Sequence, residues 1–229
     1  MSRALQAIVF DFDGVIANSE PLHLTAFQQA LAPEGIELST GDYYAHYLGY
    51  DDVGLFEALA RDRGLAMSGA DVSGLVARKG ERMQALLRSG TVLFPGATEF
   101  IRGAAAVVPI AIASGALRHE IEEIIDAAGL SDLFSTIVAA GDTRQSKPSP
   151  APYRLALERL RKASGREIDP RRAVAIEDSK WGLESAQGAG LRLVGVTTSY
   201  PAHELTDAEL VVDSLKSLTL PALECLCTT

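Results

Sequence analysis

The chain has 229 residues, 47% of them hydrophobic and 22% charged, with a formal net charge of −9. That length can bury a sizeable core, as one large domain or as a core with a smaller insert. The acidic balance and the lack of a dense basic cluster argue against nucleic acid or anionic membrane as the main partner, and no apolar run approaches the roughly 20 residues of a membrane span.

The first expected element is a strand over Gln6–Phe10, running into Asp11-Phe12-Asp13-Gly14-Val15. Side chains alternate along an extended segment, so Asp11 and Asp13 can point one way while Phe12 faces the core. Two carboxylates so close resist joint ionisation unless a cation lies between them, and Gly14 lets the chain turn sharply. Taken alone, such a pair reads equally well as an acidic turn capping a strand. The N-terminus shows no signal-peptide apolar region, because its apolar run is short and ends in aspartates.

From Ala17 to about Thr91 the pattern is helical throughout. Ser19 can cap a helix that has Pro21 in its first turn. Leu22, Ala26 and Ala30 follow helical spacing, as do Val53, Phe56 and Ala60, and then Leu75, Lys79, Met83 and Leu87. Strands resume after Phe94-Pro95-Gly96, at Ile110–Ala113, Thr136–Ala139, Ala173–Ile176, Leu193–Val196 and Leu210–Val212. Helices are expected between them at Thr98–Val107, Leu117–Ala128, Ala151–Ala163 and Trp181–Gly188. Such alternation implies an α/β fold, a Rossmann-like parallel sheet covered by helices. The boundaries expected are 1–16 and 92–229 for the α/β core and 17–91 for an inserted all-helical cap domain. Cys225 and Cys227, the only cysteines, read as part of a terminal tail in a reducing cytoplasm.

Four polar clusters follow strand-like runs: Asp11 and Asp13, Ser114-Gly115, Ser146-Lys147-Pro148, and Glu177-Asp178-Ser179. Each alone has an ordinary explanation as a turn, a solvated loop or a helix cap. In open parallel sheets ligands bind at the carboxyl ends of strands, so all four are expected to meet in one crevice. Several carboxylates there would need a hard divalent cation, and oxygen donors suit Mg²⁺. A carboxylate can attack phosphorus to form an aspartyl-phosphate, and a second can protonate the leaving oxygen. A serine hydroxyl and helix N-terminal N–H groups can hold phosphate oxygens, while a lysine offsets the charge in transfer.

The motifs DFDGV at Asp11–Val15, ASG at Ala113–Gly115, SKPSP at Ser146–Pro150 and IEDSKWGLESAQGAG at Ile176–Gly190 resemble those of the haloacid dehalogenase superfamily. Within it the chain is similar to the beta-phosphoglucomutase-like subgroup with a helical cap. The resemblance implies Asp11 as nucleophile, Asp13 as general acid/base, and Ser114, Gly115 and Lys147 as phosphate binders. It further implies a Mg²⁺ site from Asp11, Asp178 and the backbone carbonyl of Asp13, with Glu177 as an additional carboxylate. Dehalogenases lack the second aspartate and phosphonatases carry a small residue there, so Asp13 favours phosphoryl transfer.

In the cap, His23 within Ser19-Glu20-Pro21-Leu22-His23 and Lys79 match mutase positions. After Leu48-Gly49, however, where the mutase has an arginine that holds a distal phosphate, this chain has Asp52. A carboxylate cannot replace a guanidinium clamp. The expectation is therefore a Mg²⁺-dependent phosphatase of a small phosphomonoester, such as a sugar phosphate, ahead of a beta-phosphoglucomutase-type enzyme. A non-catalytic binding module is disfavoured because Asp11, Asp13, Lys147 and Asp178 are all intact. The partner expected is a small phosphorylated metabolite, not nucleic acid or membrane, bound by a cytoplasmic monomer or weak homo-oligomer.

Overall fold

The structure, a computed structural model, describes residues 4–47, 50–89 and 92–228. Its contacts divide the chain into two compact units, residues 1–18 with 92–229 and residues 19–91. The first division falls two residues beyond the 16/17 boundary expected from sequence.

The first unit holds six parallel strands: β1 (Ala7–Phe10), β2 (Ile110–Ala113), β3 (Phe134–Val138), β4 (Ala173–Glu177), β5 (Arg192–Val196) and β6 (Leu210–Val212). They lie in the order β3-β2-β1-β4-β5-β6. β1 is therefore central, with Ile8 opposite Ile110 on one side and Val174 on the other. The sequences AIVF, IAIA and AVAIE are buried along their whole length, as strands covered on both faces should be. Alternation sends Ala7 and Val9 into a core with Tyr153, Ala156, Leu160 and Leu183. The neighbouring Phe10 packs edge-on against Phe100 and Phe134.

The helices of this unit are α5 (Ala97–Ala105), α6 (Arg118–Ala127), α7 (Ala151–Ser164), α8 (Lys180–Gly188) and α9 (Leu220–Leu226). The last was not expected. The supposed tail instead forms a helix capped by Thr219 and carrying a fully buried Leu223. Glu224 accepts a hydrogen bond from the Leu5 amide at 3.0 Å. Cys225 is exposed and Cys227 half-buried, and both are free thiols.

The second unit is built from α1 (Glu20–Leu31), α2 (Thr40–Asp42, continuing as a π-helical turn over Tyr43–Tyr47), α3 (Asp52–Asp62) and α4 (Gly69–Ser89). Its core gathers Leu24, Phe27, Leu31, Tyr43, Leu55, Phe56, Leu59 and Leu75. Two details depart from the sequence reading. Ser19 stands at the N-cap of α1 with Pro21 in the first turn, as expected, but its backbone angles are helical and its side chain makes no capping bond. On α3, Phe56 and Ala60 are buried as expected, but Val53 is exposed and Leu55 and Leu59 lie inside in its place.

Candidate active site

β1 delivers Asp11 to the carboxyl edge at the centre of the sheet, where its amide donates to the Ile176 carbonyl at 2.9 Å. The adjacent β4 ends in Glu177 and continues into Asp178. One carboxylate oxygen from each of Asp11, Glu177 and Asp178 lies within 4.8 Å of the others, and all three residues are buried. The fourth expected acid, Asp13, is not a member of this group. It sits in the turn after β1, bridged to Ala17, and the Gly14 amide donates to the Ala17 carbonyl at 2.9 Å.

Lys147, in the loop after β3, binds this cluster together. Its Nζ lies 2.5 Å from Asp11 Oδ1 and 2.6 Å from Glu177 Oε1. Burial would lower its pKa, but the two carboxylates overcome that and hold it above the ordinary lysine range, so the ammonium stays charged. Burial pushes the Asp11 carboxyl well up, as do Glu177 and Asp178, while Lys147 opposes the rise. Burial likewise raises Asp178 to about 6, against the hydrogen bond from Ser199. Three buried carboxylates facing one lysine leave excess negative charge. An all-oxygen donor set of that kind fits a hard divalent cation such as Mg²⁺.

Ser114 ends β2. Its amide donates to the Val138 carbonyl at 2.9 Å, and its hydroxyl accepts from the Ala116 amide at 3.0 Å. The N-cap of α6 is Leu117 rather than Ser114. A Cβ on Gly115 would meet nothing within 4 Å, so packing does not demand that glycine.

Other members of the site were not singled out from the sequence. Tyr153 on α7 donates its hydroxyl to Glu177 Oε1 at 2.7 Å. Ser199 donates to Asp178 Oδ2, and Thr198 donates to the Gly14 carbonyl. The signal for the last two was available, since Thr197-Thr198-Ser199 directly follows β5 at the same sheet edge. Two glycines are required by the acids beside them. A Cβ on Gly14, whose φ is +83°, would lie 1.8 Å from Asp178 Oδ2, and one on Gly182 would lie 1.9 Å from the Glu177 carboxyl carbon.

The helical unit contains its own polar cluster. Lys79 is buried, with Nζ 2.8 Å from Asp52 Oδ1, 3.1 Å from His23 Nδ1 and 5.0 Å from the centre of the Phe27 ring. Lys79 is thus not a solvated helix lysine, and Asp52 is not a bare carboxylate, since each neutralises the other. Burial, followed by the Lys79 charge, lowers the His23 imidazole to about 4. Gly49, named with these residues in the sequence reading, lies outside the described residues.

Residues 5–190 match the model of the haloacid dehalogenase-like hydrolase family, and the chain belongs to that family. It is an enzyme of the haloacid dehalogenase type of phosphohydrolase. Protein CbbY of Rhodobacter capsulatus is 33% identical over 208 residues, covering 86% of this chain and 87% of that protein. A phosphoglycolate phosphatase of Pectobacterium atrosepticum is 27% identical over 214 residues, covering 92% and 89%. Among solved structures, a CbbY variant from Rhodobacter sphaeroides in complex with xylulose 1,5-bisphosphate is 31% identical. It covers 96% of this chain and 99% of that one, with a TM-score of 0.78.

Proposed function

We infer that this enzyme is a Mg²⁺-dependent phosphatase of a small phosphomonoester, a sugar phosphate, working through an aspartyl-phosphate on Asp11. The observation that carries this reading is the placement of the buried Asp11 carboxyl group beside the Lys147 ammonium, with Nζ 2.5 Å from Oδ1. In such a site the lysine offsets charge on the nucleophile and on the phosphoryl group it receives. The bisphosphate bound by the Rhodobacter sphaeroides CbbY and the name of the Pectobacterium relative support a small organic phosphate as substrate.

Asp11 attacks phosphorus through one oxygen, forming the acyl phosphate as the bond to the leaving oxygen breaks. Asp13 gives its proton to that oxygen and then takes one from the water that attacks the phosphoenzyme. Inorganic phosphate leaves and Asp11 is regenerated. Ser114 and the amides near Gly115 hold phosphate oxygens through hydrogen bonds. Asp11 and Asp178, with the Asp13 carbonyl, are the groups that would hold Mg²⁺; the resemblance adds Glu177, whose Oε1 is already bonded to Lys147 and Tyr153. When bound, the cation supplies positive charge to offset that of the carboxylates and the phosphate. Substrate choice is assigned to the helical unit, through His23, Lys79 and Asp52.

The test is a screen of phosphorylated metabolites with Mg²⁺, including a pentulose bisphosphate and glucose 1-phosphate with and without a bisphosphate primer. Release of inorganic phosphate from a sugar phosphate is expected. Conversion of glucose 1-phosphate to glucose 6-phosphate without phosphate release would replace the phosphatase by a mutase.

A further inference from the structure

Tyr153 lies on the first turn of α7, fully buried, and no step of the reaction above uses it. Its hydroxyl and the Lys147 ammonium share one acceptor, Glu177 Oε1, at 2.7 and 2.6 Å. The tyrosine ring packs 5.2 Å from Lys147 Nζ. The second Glu177 oxygen accepts from the Asp178 amide at 3.2 Å and from the Ser179 hydroxyl at 3.1 Å. An ionised carboxylate offers about four acceptor directions, and these donors take them. The α8 backbone closes the remaining side, because a Cβ on Gly182 would meet both Glu177 oxygens at 2.0 Å. A carboxylate engaged in this way has no lone pair to give a cation, although it stands close to Asp11 and Asp178.

We propose that Tyr153 is a positioning residue that acts through Glu177 to hold the Lys147 ammonium beside Asp11, and that Glu177 serves this lysine rather than the divalent cation. A lysine head is a compact charge on a flexible stem, with three rotatable donors. One ion pair fixes its distance from a partner but not its direction. The Tyr153 hydroxyl takes one lone pair of Oε1 and leaves Lys147 the other, which sets the direction from which Nζ reaches Asp11. The inference rests on the hydrolase reading given above and adds to it a division of labour between the two acids that end β4.

Tyr153→Phe keeps the ring and removes a single hydroxyl. The turnover number on an aryl phosphate should fall about tenfold, the scale of one hydrogen bond to a charged group, with the Mg²⁺ dissociation constant by calorimetry unchanged. In a Lys147→Gln background the same change should cost nothing further, because an effect carried through Lys147 cannot be lost twice. In the unaltered protein, carboxylate-carbon NMR during Mg²⁺ titration should move the Asp11 and Asp178 resonances and leave that of Glu177 in place. Wild-type turnover in Tyr153→Phe, an additive loss in the double variant, or a Glu177 resonance that moves with Asp178 would each overturn the inference. Failure of the unaltered protein to release phosphate from any phosphomonoester overturns the hydrolase reading instead, and the NMR measurement still decides what Glu177 serves.

Discussion

Asp178 and Asp11 are acids held where water cannot reach them well, and their protons report on the site. Burial lifts the Asp178 carboxyl to about 6 from an ordinary 3.8, and Asp11 is raised as well. A raised carboxyl favours the protonated folded state. Each group therefore stabilises the metal-free protein below its unfolded pKa, and that stability is lost as pH rises through its folded value, which for Asp178 is about 6. A divalent cation must displace the same protons, so its affinity runs the other way. Mg²⁺ binding measured by calorimetry should strengthen as pH rises, by about tenfold per pH unit for each proton the cation displaces, so most steeply below the Asp178 pKa, where both acids carry one. An affinity independent of pH across that range would mean that neither acid binds the cation.

Asp52 behaves differently from what its position in the sequence suggested. The reading there weighed a lone carboxylate against a phosphate, but the side chain is the partner of a buried Lys79. Asp52→Arg would strip that lysine of its counter-charge and place a like charge beside it. Breaking one side of a buried pair costs about 3 kcal/mol or more, so the variant should melt well below the wild type in a thermal scan. An unchanged melting temperature would show that the pair contributes little.

At the scale of elements, α8 sets helix propensity against site geometry. Alanine is a better helix former than glycine by about 1 kcal/mol, so propensity alone says that Gly182→Ala stabilises. The methyl would instead overlap the Glu177 carboxyl group, forcing that acid or the helix to move. We expect Gly182→Ala to lower both the melting temperature and the turnover number, and a more stable, fully active variant would refute the packing argument. The six strands were legible because parallel strands buried on both faces read as short apolar runs between turn residues. Helix ends were less legible. Ser19 holds the expected N-cap position without making the capping bond, and α9 hid behind its short length and two cysteines. In α3 the pattern gave the right element and two of its inward residues, Phe56 and Ala60, while Leu55 and Leu59 take the interior place expected of Val53.

For the molecule as a whole, the sequence showed which strand ends carry chemistry, and the strand order explains why they meet. β1 lies between β2 and β4, so the ends of all three open on one edge. Asp11, Lys147, Glu177 and Asp178 come together there. What the sequence could not supply is direction. Nothing in its spacing says that the Asp13 carboxylate stands outside the cluster or that Glu177 faces Lys147 and Tyr153. Nor does it say that Ser199 reaches Asp178 from a strand end that carried no recognised motif. These are properties of side-chain rotamers and of contacts far apart in the chain.

Everything proposed for this site turns on Asp11 carrying the phosphoryl group. The direct measurement is to mix enzyme, Mg²⁺ and a sugar phosphate, quench during turnover, reduce the acyl phosphate with borohydride and map the product by mass spectrometry. Homoserine is expected at position 11 and is expected to be absent from Asp11→Asn, which should also release no phosphate. Steady phosphate release with position 11 still aspartate in every quenched sample, or from the Asp11→Asn variant, would contradict it.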